Sequence, residues 1–195
     1  MRTGKLALSL ALAGILGATV AVAEEEGAYA GVQLGYGWTK HKFSSGSKIT
    51  PAALRYGITG GYKQFLDENL GLRYYGVFDY GSGKKSTKSN GKATVTTWNF
   101  NVNADALYNF MSMDDMEFGA FGGLSLGYAN HKTKLGGGKI KASGFDAGIN
   151  FGLRANFAAQ HGVEIYNRVS FLTQKKNNNK YSQPYNIGLR YTFSF

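Results

Sequence analysis

The chain has 195 residues, a formal net charge of +10, 28 glycines, 13 tyrosines, 13 phenylalanines, 2 prolines and no cysteine. That length is one domain's worth, and the missing cysteines exclude a small scaffold stapled by disulfides. A basic balance suits nucleic acid or an anionic surface; in an exported chain it points to lipid phosphates or glycans and away from nucleic acid.

Residues 1–23, MRTGKLALSLALAGILGATVAVA, place Arg2 and Lys5 before an apolar run from Leu6 that ends on Ala21-Val22-Ala23, an A-x-A pattern. This is the layout of a secretory signal peptide cut after Ala23, and it leaves 24–195 as the mature domain. A single-pass anchor fits less well, because Ser9, Gly14, Gly17 and Thr19 interrupt the run. No later stretch approaches the ~18 consecutive apolar residues of a membrane helix.

From residue 28 onward the chain alternates. Segment 28–38 sets Ala28, Ala30, Val32, Leu34, Tyr36 and Trp38 against Tyr29, Gly31, Gln33, Gly35 and Gly37. Segments 54–63, 70–80 and 97–108 repeat the pattern, the last with Trp98, Phe100 and Val102 against Asn99, Asn101 and Asn103. It continues through 117–128, 145–157 and 163–172, where Asn167 is the one discordant residue, and closes on YNIGLRYTFSF at the C-terminus. Period two sustained over eight segments predicts eight strands. Short connections at 66–69, 111–115 and 158–162 alternate with longer stretches around 40–53, 81–93, 130–142 and 174–183, rich in Gly, Ser, Asn and Lys. That rhythm describes an antiparallel up-and-down meander of four hairpins.

Soluble and membrane barrels hide the same alternation with opposite faces inside. Here one face carries Arg, Asp, Glu, Asn and Gly, too polar and too small for a dry core. The apolar face is aromatic at both ends: Tyr36, Trp38, Tyr80, Trp98 and Tyr128 lie toward the long connections, Tyr62, Tyr108, Phe157 and Phe195 toward the short ones. Two aromatic belts and strands of about ten residues fit a bilayer crossed by tilted strands. The expected fold is all-β: an eight-stranded antiparallel up-and-down transmembrane β-barrel over 24–195.

GYKQFLDENLGLRYYGVFDYG (61–81) resembles the G-Y-K-x-F … N-x-G-x-R-Y-Y-x-F-x-D-Y-G segment of the Helicobacter-type outer-membrane protein family, and YNIGLRYTFSF is compatible with how those barrels end. The resemblance implies an outer-membrane location. The larger members, similar to adhesins or porins, carry a long extracellular domain for which this chain has no room. The terminal alternation also resembles the recognition strand read by the barrel-assembly machinery, which makes Tyr191, Phe193 and Phe195 an expected assembly signal.

Charge segregates by place. The long connections hold Lys40, Lys42, Lys48, Lys84, Lys85, Lys88, Lys92, Lys132, Lys134, Lys139, Lys141, Lys175, Lys176 and Lys180, with no acid among them. A cationic rim of flexible ammonium groups suits lipopolysaccharide phosphates or another anionic surface, and it also suits plain solubility. The arginines sit inside strands: Arg55, Arg73, Arg154, Arg168 and Arg190 share the polar face with Asp79, Asp105, Glu117, Asp146 and Glu164. Folding the hairpins sets Arg55 near Asp79 and Arg154 near Glu164, with Arg73, Asp105 and Glu117 at a similar height. In an eight-stranded barrel such pairs form a plug; the many inward glycines leave a narrow selective pore as the alternative.

Catalysis is a third reading, since some small barrels modify lipid A with a His, a Ser and a carboxylate. His41 precedes Ser44 and Ser45, and His131 lies in another long connection, but no rim carboxylate orients either ring. His161 falls at the opposite end, so no metal site forms, and KLGGGKIK lacks the spacing of a phosphate loop. The sequence therefore predicts a non-enzymatic, cofactor-free monomeric barrel of the outer membrane, in contact with its lipid and with lipopolysaccharide.

Overall fold

The computed structural model describes residues 26–44, 46–87, 91–113, 115–135, 138–176 and 179–195, and side chains are not described at 85–92, 135 and 176. The expected signal peptide, and Lys88 among the rim lysines, lie outside the described residues.

Ten strands follow one another: β1 (Gly27–Lys42), β2 (Lys48–Ile49), β3 (Ala52–Phe65), β4 (Leu70–Thr87), β5 (Gly91–Met113), β6 (Met116–Leu135), β7 (Gly138–Phe157), β8 (His161–Ser170), β9 (Thr173–Lys176) and β10 (Asn179–Ser194). Eight of them close a ring in the order β1-β3-β4-β5-β6-β7-β8-β10, with β10 returning to β1. β2 and β9 are short additions that pair with β1 and β10 above the ring. Every pairing is antiparallel, and the seam runs in register from Tyr29 opposite Ser194 to Trp38 opposite Tyr185 before a bulge.

The alternation resolves the faces. Leu124, Leu126 and Phe145 are 65%, 62% and 81% exposed, whereas Arg73, Asp105 and Asn99 are 2%, 2% and 0% exposed. An apolar outside around a charged inside is stable only with lipid as the outer solvent. Rings on the outer surface meet across strands: Trp38 stacks on Tyr185 at 5.8 Å, and Trp98 lies 6.2 Å from Tyr128. Asn167, out of pattern in the sequence, accepts the Tyr185 hydroxyl proton and donates to the Phe151 carbonyl at 3.4 Å. Its amide thereby finds both an acceptor and a donor on a face that offers no water.

The strands run beyond the girdle, and the stretches expected as long connections are largely strand. The reason is a change of solvent. Below Trp98 the apolar residues of β5 point out, except Leu107, which packs inside with Phe121 and Tyr166; above it Val95 and Ala93 point in and pack with Ile49 and Phe43, while Thr94 and Thr96 turn outward. Apolar parity inverts where lipid gives way to water, so a continuous strand reads in sequence as a broken pattern.

Inward glycines make room for inward rings. A Cβ on Gly35 or Gly188 would come within 2.8 Å of the Tyr166 ring or hydroxyl, and one on Gly152 within 2.7 Å of Phe121. Aromatic side chains occupy the space beside these glycines. Gly188→Val is expected to expel Tyr166 and destabilise the barrel by about 1–3 kcal/mol, the usual cost of overpacking, read as a lower urea midpoint for unfolding from lipid vesicles.

Candidate functional site

Three layers stand out, two inside the barrel and one around its rim. In the membrane-embedded interior, antiparallel register sets Arg73 opposite Asp105, and Arg73 donates to it at 2.8 Å. Arg73 also pairs with Glu164 from the far wall, and Glu164 accepts from Arg190 at 3.1 Å. Rings hold the guanidinium faces: Arg73 lies 4.8 Å from the Tyr75 and Phe121 centroids, and Arg190 lies 5.0 Å from those of Tyr75 and Tyr166. Gln33 accepts from Arg190 at 3.1 Å.

A second cluster joins Arg55 to Asp79 and, at 2.9 Å, to Gln183. A third joins Arg168 to Asp146 at 2.9 Å and to Ser125 at 3.1 Å, with Ser170 donating to Asp146. Arg154 stands opposite Glu164 in the β7–β8 register and donates to Asn109 at 3.4 Å. Half-buried Glu117, expected level with Arg73 and Asp105, accepts from Asn109 at 3.1 Å, next to the short β5–β6 turn. The void among these groups, lined by Arg55, Asp79, Asn101, Asn150 and Arg190, is about 20 Å3, little more than one water. Sequence reasoning passed over Tyr75, Tyr166, Phe121, Gln33 and Gln183. Their signal was parity: large side chains on the polar face must sit inside.

The second layer lies above the girdle. His41, His131 and Tyr181 are all 0% exposed. Tyr181 stacks between the imidazoles, at 3.9 Å from His41 and 5.4 Å from His131. The His131 Nε2–H donates to Gln174 at 3.2 Å, an orientation fixed because the Gln174 amide nitrogen donates to the Phe145 carbonyl. Its Nδ1 accepts from Thr97 at 3.0 Å, and His41 meets Thr133 and Asn179. Burial first of all lowers both imidazoles, His131 to about 4 from 6.5. Neither histidine lies in a loop beside Ser44, and the described partners of both rings are neutral. His161, at the other end, meets the Tyr191 hydroxyl at 2.8 Å. Among the described residues no group of three metal-ligating side chains forms.

The third layer is lysine. Lys48 pairs across strands with Lys42, Lys42 with Lys180 and Lys180 with Lys175, a lateral row over β2, β1, β10 and β9. On β6 and β7, Lys132 faces Lys141 and Lys134 faces Lys139. Lys134 most of all, then burial and the other two lysines, lowers the Lys132 ammonium below its ordinary value. Lys40 and Lys84 are exposed at the same end, and the side chains of Lys85, Lys92 and Lys176 are not described.

A closed antiparallel ring with an apolar girdled exterior and a charged interior defines an outer-membrane β-barrel. Residues 57–195 match the family of Helicobacter outer membrane proteins, and the chain belongs to that family. Among solved structures, Neisserial surface protein A is 18% identical with a TM-score of 0.52, over 87% of this chain and 99% of that one. The attachment invasion locus protein of Yersinia pestis is 14% identical with a TM-score of 0.44, over 87% of this chain and 100% of that one. No curated protein matches the sequence.

Glu164→Gln leaves Arg73 and Arg190 around a neutral partner. It is expected to cost about 3–5 kcal/mol, measured by urea titration in vesicles. The ring stack gives a pH dependence. Unfolded imidazoles take protons below about 6.5 while the folded ones resist, so stability is full above 6.5 and is lost as pH falls toward 4. For His131 the loss is about 3 kcal/mol at ~1.4 kcal/mol per pH unit. Hydrogen-exchange protection factors at the outer ends of β1, β6 and β10, with the slower intrinsic exchange at acid pH divided out, should fall between pH 7 and 4.5, and less so in a His41→Phe/His131→Phe variant.

Proposed function

We propose that this chain is a non-catalytic outer-membrane surface barrel whose rim lysines hold the phosphates of outer-leaflet lipopolysaccharide. The observation that carries the reading is lysine directly opposite lysine, just beyond the aromatic girdle, on two sides of the barrel. Like charges in direct cross-strand register repel, and an anion seated between them turns that repulsion into binding. Headgroup phosphates occupy this depth. The chain is exported by a signal peptide cut after Ala23, inserted by the barrel-assembly machinery through Tyr191, Phe193 and Phe195, and acts as a monomer.

The void of about 20 Å3 supports a closed interior over a narrow solute pore. The buried, neutrally partnered histidines support a barrel without lipid A chemistry.

The test is thermal unfolding of the refolded protein with phosphorylated or dephosphorylated lipopolysaccharide. Phosphorylated lipid should raise the Tm by several degrees, and Lys42→Gln/Lys180→Gln with Lys132→Gln/Lys141→Gln should abolish the rise. Equal stabilisation by both lipids would overturn the reading. In planar bilayers the wild type should be silent while Arg73→Ala leaks; discrete steps in the wild type would favour the pore.

A further inference from the structure

Beyond the girdle the ring does not stay whole. β2 continues β3 outward along the chain and β9 continues β8, yet each pairs on one side only, β2 with β1 and β9 with β10. Pairing of β3 with β4 ends at Leu54 opposite Ser82, and pairing of β7 with β8 at Gly148 opposite Ser170. β4 nevertheless runs on to Thr87, and β7 begins as far out as Gly138. Among the described residues no ladder joins β2 to β4 or β9 to β7. The wall thus splits into two facing four-stranded sheets, β2-β1-β10-β9 and β4-β5-β6-β7. The slit beside β9 is bridged at 2.8 Å by the Phe171 N–H on the Ala147 carbonyl and by the Gln174 amide on the Phe145 carbonyl.

The inner faces hold the sheets together. Ile49 of the first packs on Ala93 and Val95 of the second, and the Thr39 and Thr97 hydroxyls meet at 3.5 Å. His41 on β1 reaches Thr133 on β6 at 3.2 Å, and His131 on β6 reaches Gln174 on β9 at 3.2 Å. Each imidazole therefore spans the interface, one from either side. Around His41 stand Phe43, Ile49, Asn179, Tyr181 and Thr133. Around His131 stand Thr97, Gln174 and Tyr181, with Ala142 beside it on β7. None of these is a carboxylate. The charged groups acting on His131 are Arg55, Asp146 and His41, and the first two are paired with Asp79 and Arg168. A proton on either ring enters the interface without a counter-ion of its own.

We propose that the extracellular end of the barrel is a pair of jaws, shut at neutral pH and parted by acid through His41 and His131, while the ring within the membrane stays closed. The device is independent of what the lysines hold. Burial keeps the shut imidazoles neutral, so the shut state is favoured above 6.5 and loses ground as pH falls toward 4. With His131 at about 4 when shut and 6.5 when parted, the ratio of parted to shut jaws rises about sixty-fold from pH 7 to 4.5. Lys42 and Lys180 ride on one jaw, Lys132 and Lys141 on the other, so acid also rearranges the cationic rim.

The test uses the full-length mature protein refolded in nanodiscs. Because the chain has no cysteine, single introduced thiols report on their own sites. Ala93→Cys lies between the jaws and Leu107→Cys inside the membrane ring, both at positions that are 0% exposed. Each is reacted with 4,4′-dithiodipyridine, which attacks thiols at acid pH, and its rate is divided by that of the exposed Lys40→Cys. Between pH 7 and 4.5 the Ala93→Cys rate should rise about sixty-fold while Leu107→Cys stays protected, and adding His41→Phe/His131→Phe should flatten the rise. Spin labels give a reading on intact histidines: Lys134→Cys/Lys180→Cys across the jaws should move apart in acid, and Lys84→Cys/Lys134→Cys within one jaw should not. A flat Ala93→Cys rate, or an unchanged distance across the jaws, overturns the device. An equal rise at Leu107→Cys overturns it in favour of unfolding of the whole barrel. A rise that survives His41→Phe/His131→Phe removes the histidines as the trigger and overturns it as well.

Discussion

Hydrocarbon offers no partner to a backbone N–H or C=O, and each group left bare there costs several kcal/mol. Most of this structure follows from that constraint. A sheet in lipid must have no edge, so β10 returns to β1 and pairs with it from Tyr29–Ser194 to Trp38–Tyr185. Closure with eight strands sets a lumen only as wide as the side chains that fill it. The apolar face then belongs to lipid, and everything polar that the strands carry is delivered to one narrow interior.

That interior is assembled from charge and ring together. Arg73 and Arg190 share Glu164, and each guanidinium face is covered by Tyr75 with Phe121 or Tyr166. The rings exclude water from the ion pairs, and the glycines opposite them supply the space the rings need. Tyrosine on the polar face and glycine beside it are therefore two halves of one packing solution.

Much of this was legible in the chain. Period two identified the eight wall strands because lipid outside and polar groups inside are both strict. The approach of Arg55 to Asp79 follows from folding one hairpin, since the two are only 24 residues apart. Arg73 meeting Glu164 across 91 residues does not follow, because contacts across the lumen depend on the stagger of the closed ring, which alternation does not record. The upper strands were hidden for another reason. Val95 and Ala93 face inward where Trp98 and Phe100 face outward, so the apolar phase slips by one residue at the membrane boundary while the strand runs on. The lysines were visible as a composition; that they confront one another across strands is a property of register.

The stack of His41, Tyr181 and His131 also bears on the order of assembly. Its members come from β1, β10 and β6, and the hydrogen bonds around it join residues 92 and 138 apart in the chain. No hairpin, and no run of neighbouring hairpins, brings the three rings together before the seam has joined. Contacts of such long sequence separation form late, after the loop-closure entropy of the whole ring has been spent. The stack is thus a latch on a finished barrel: the face presented to the outside world takes its shape only once the last strand has found the first.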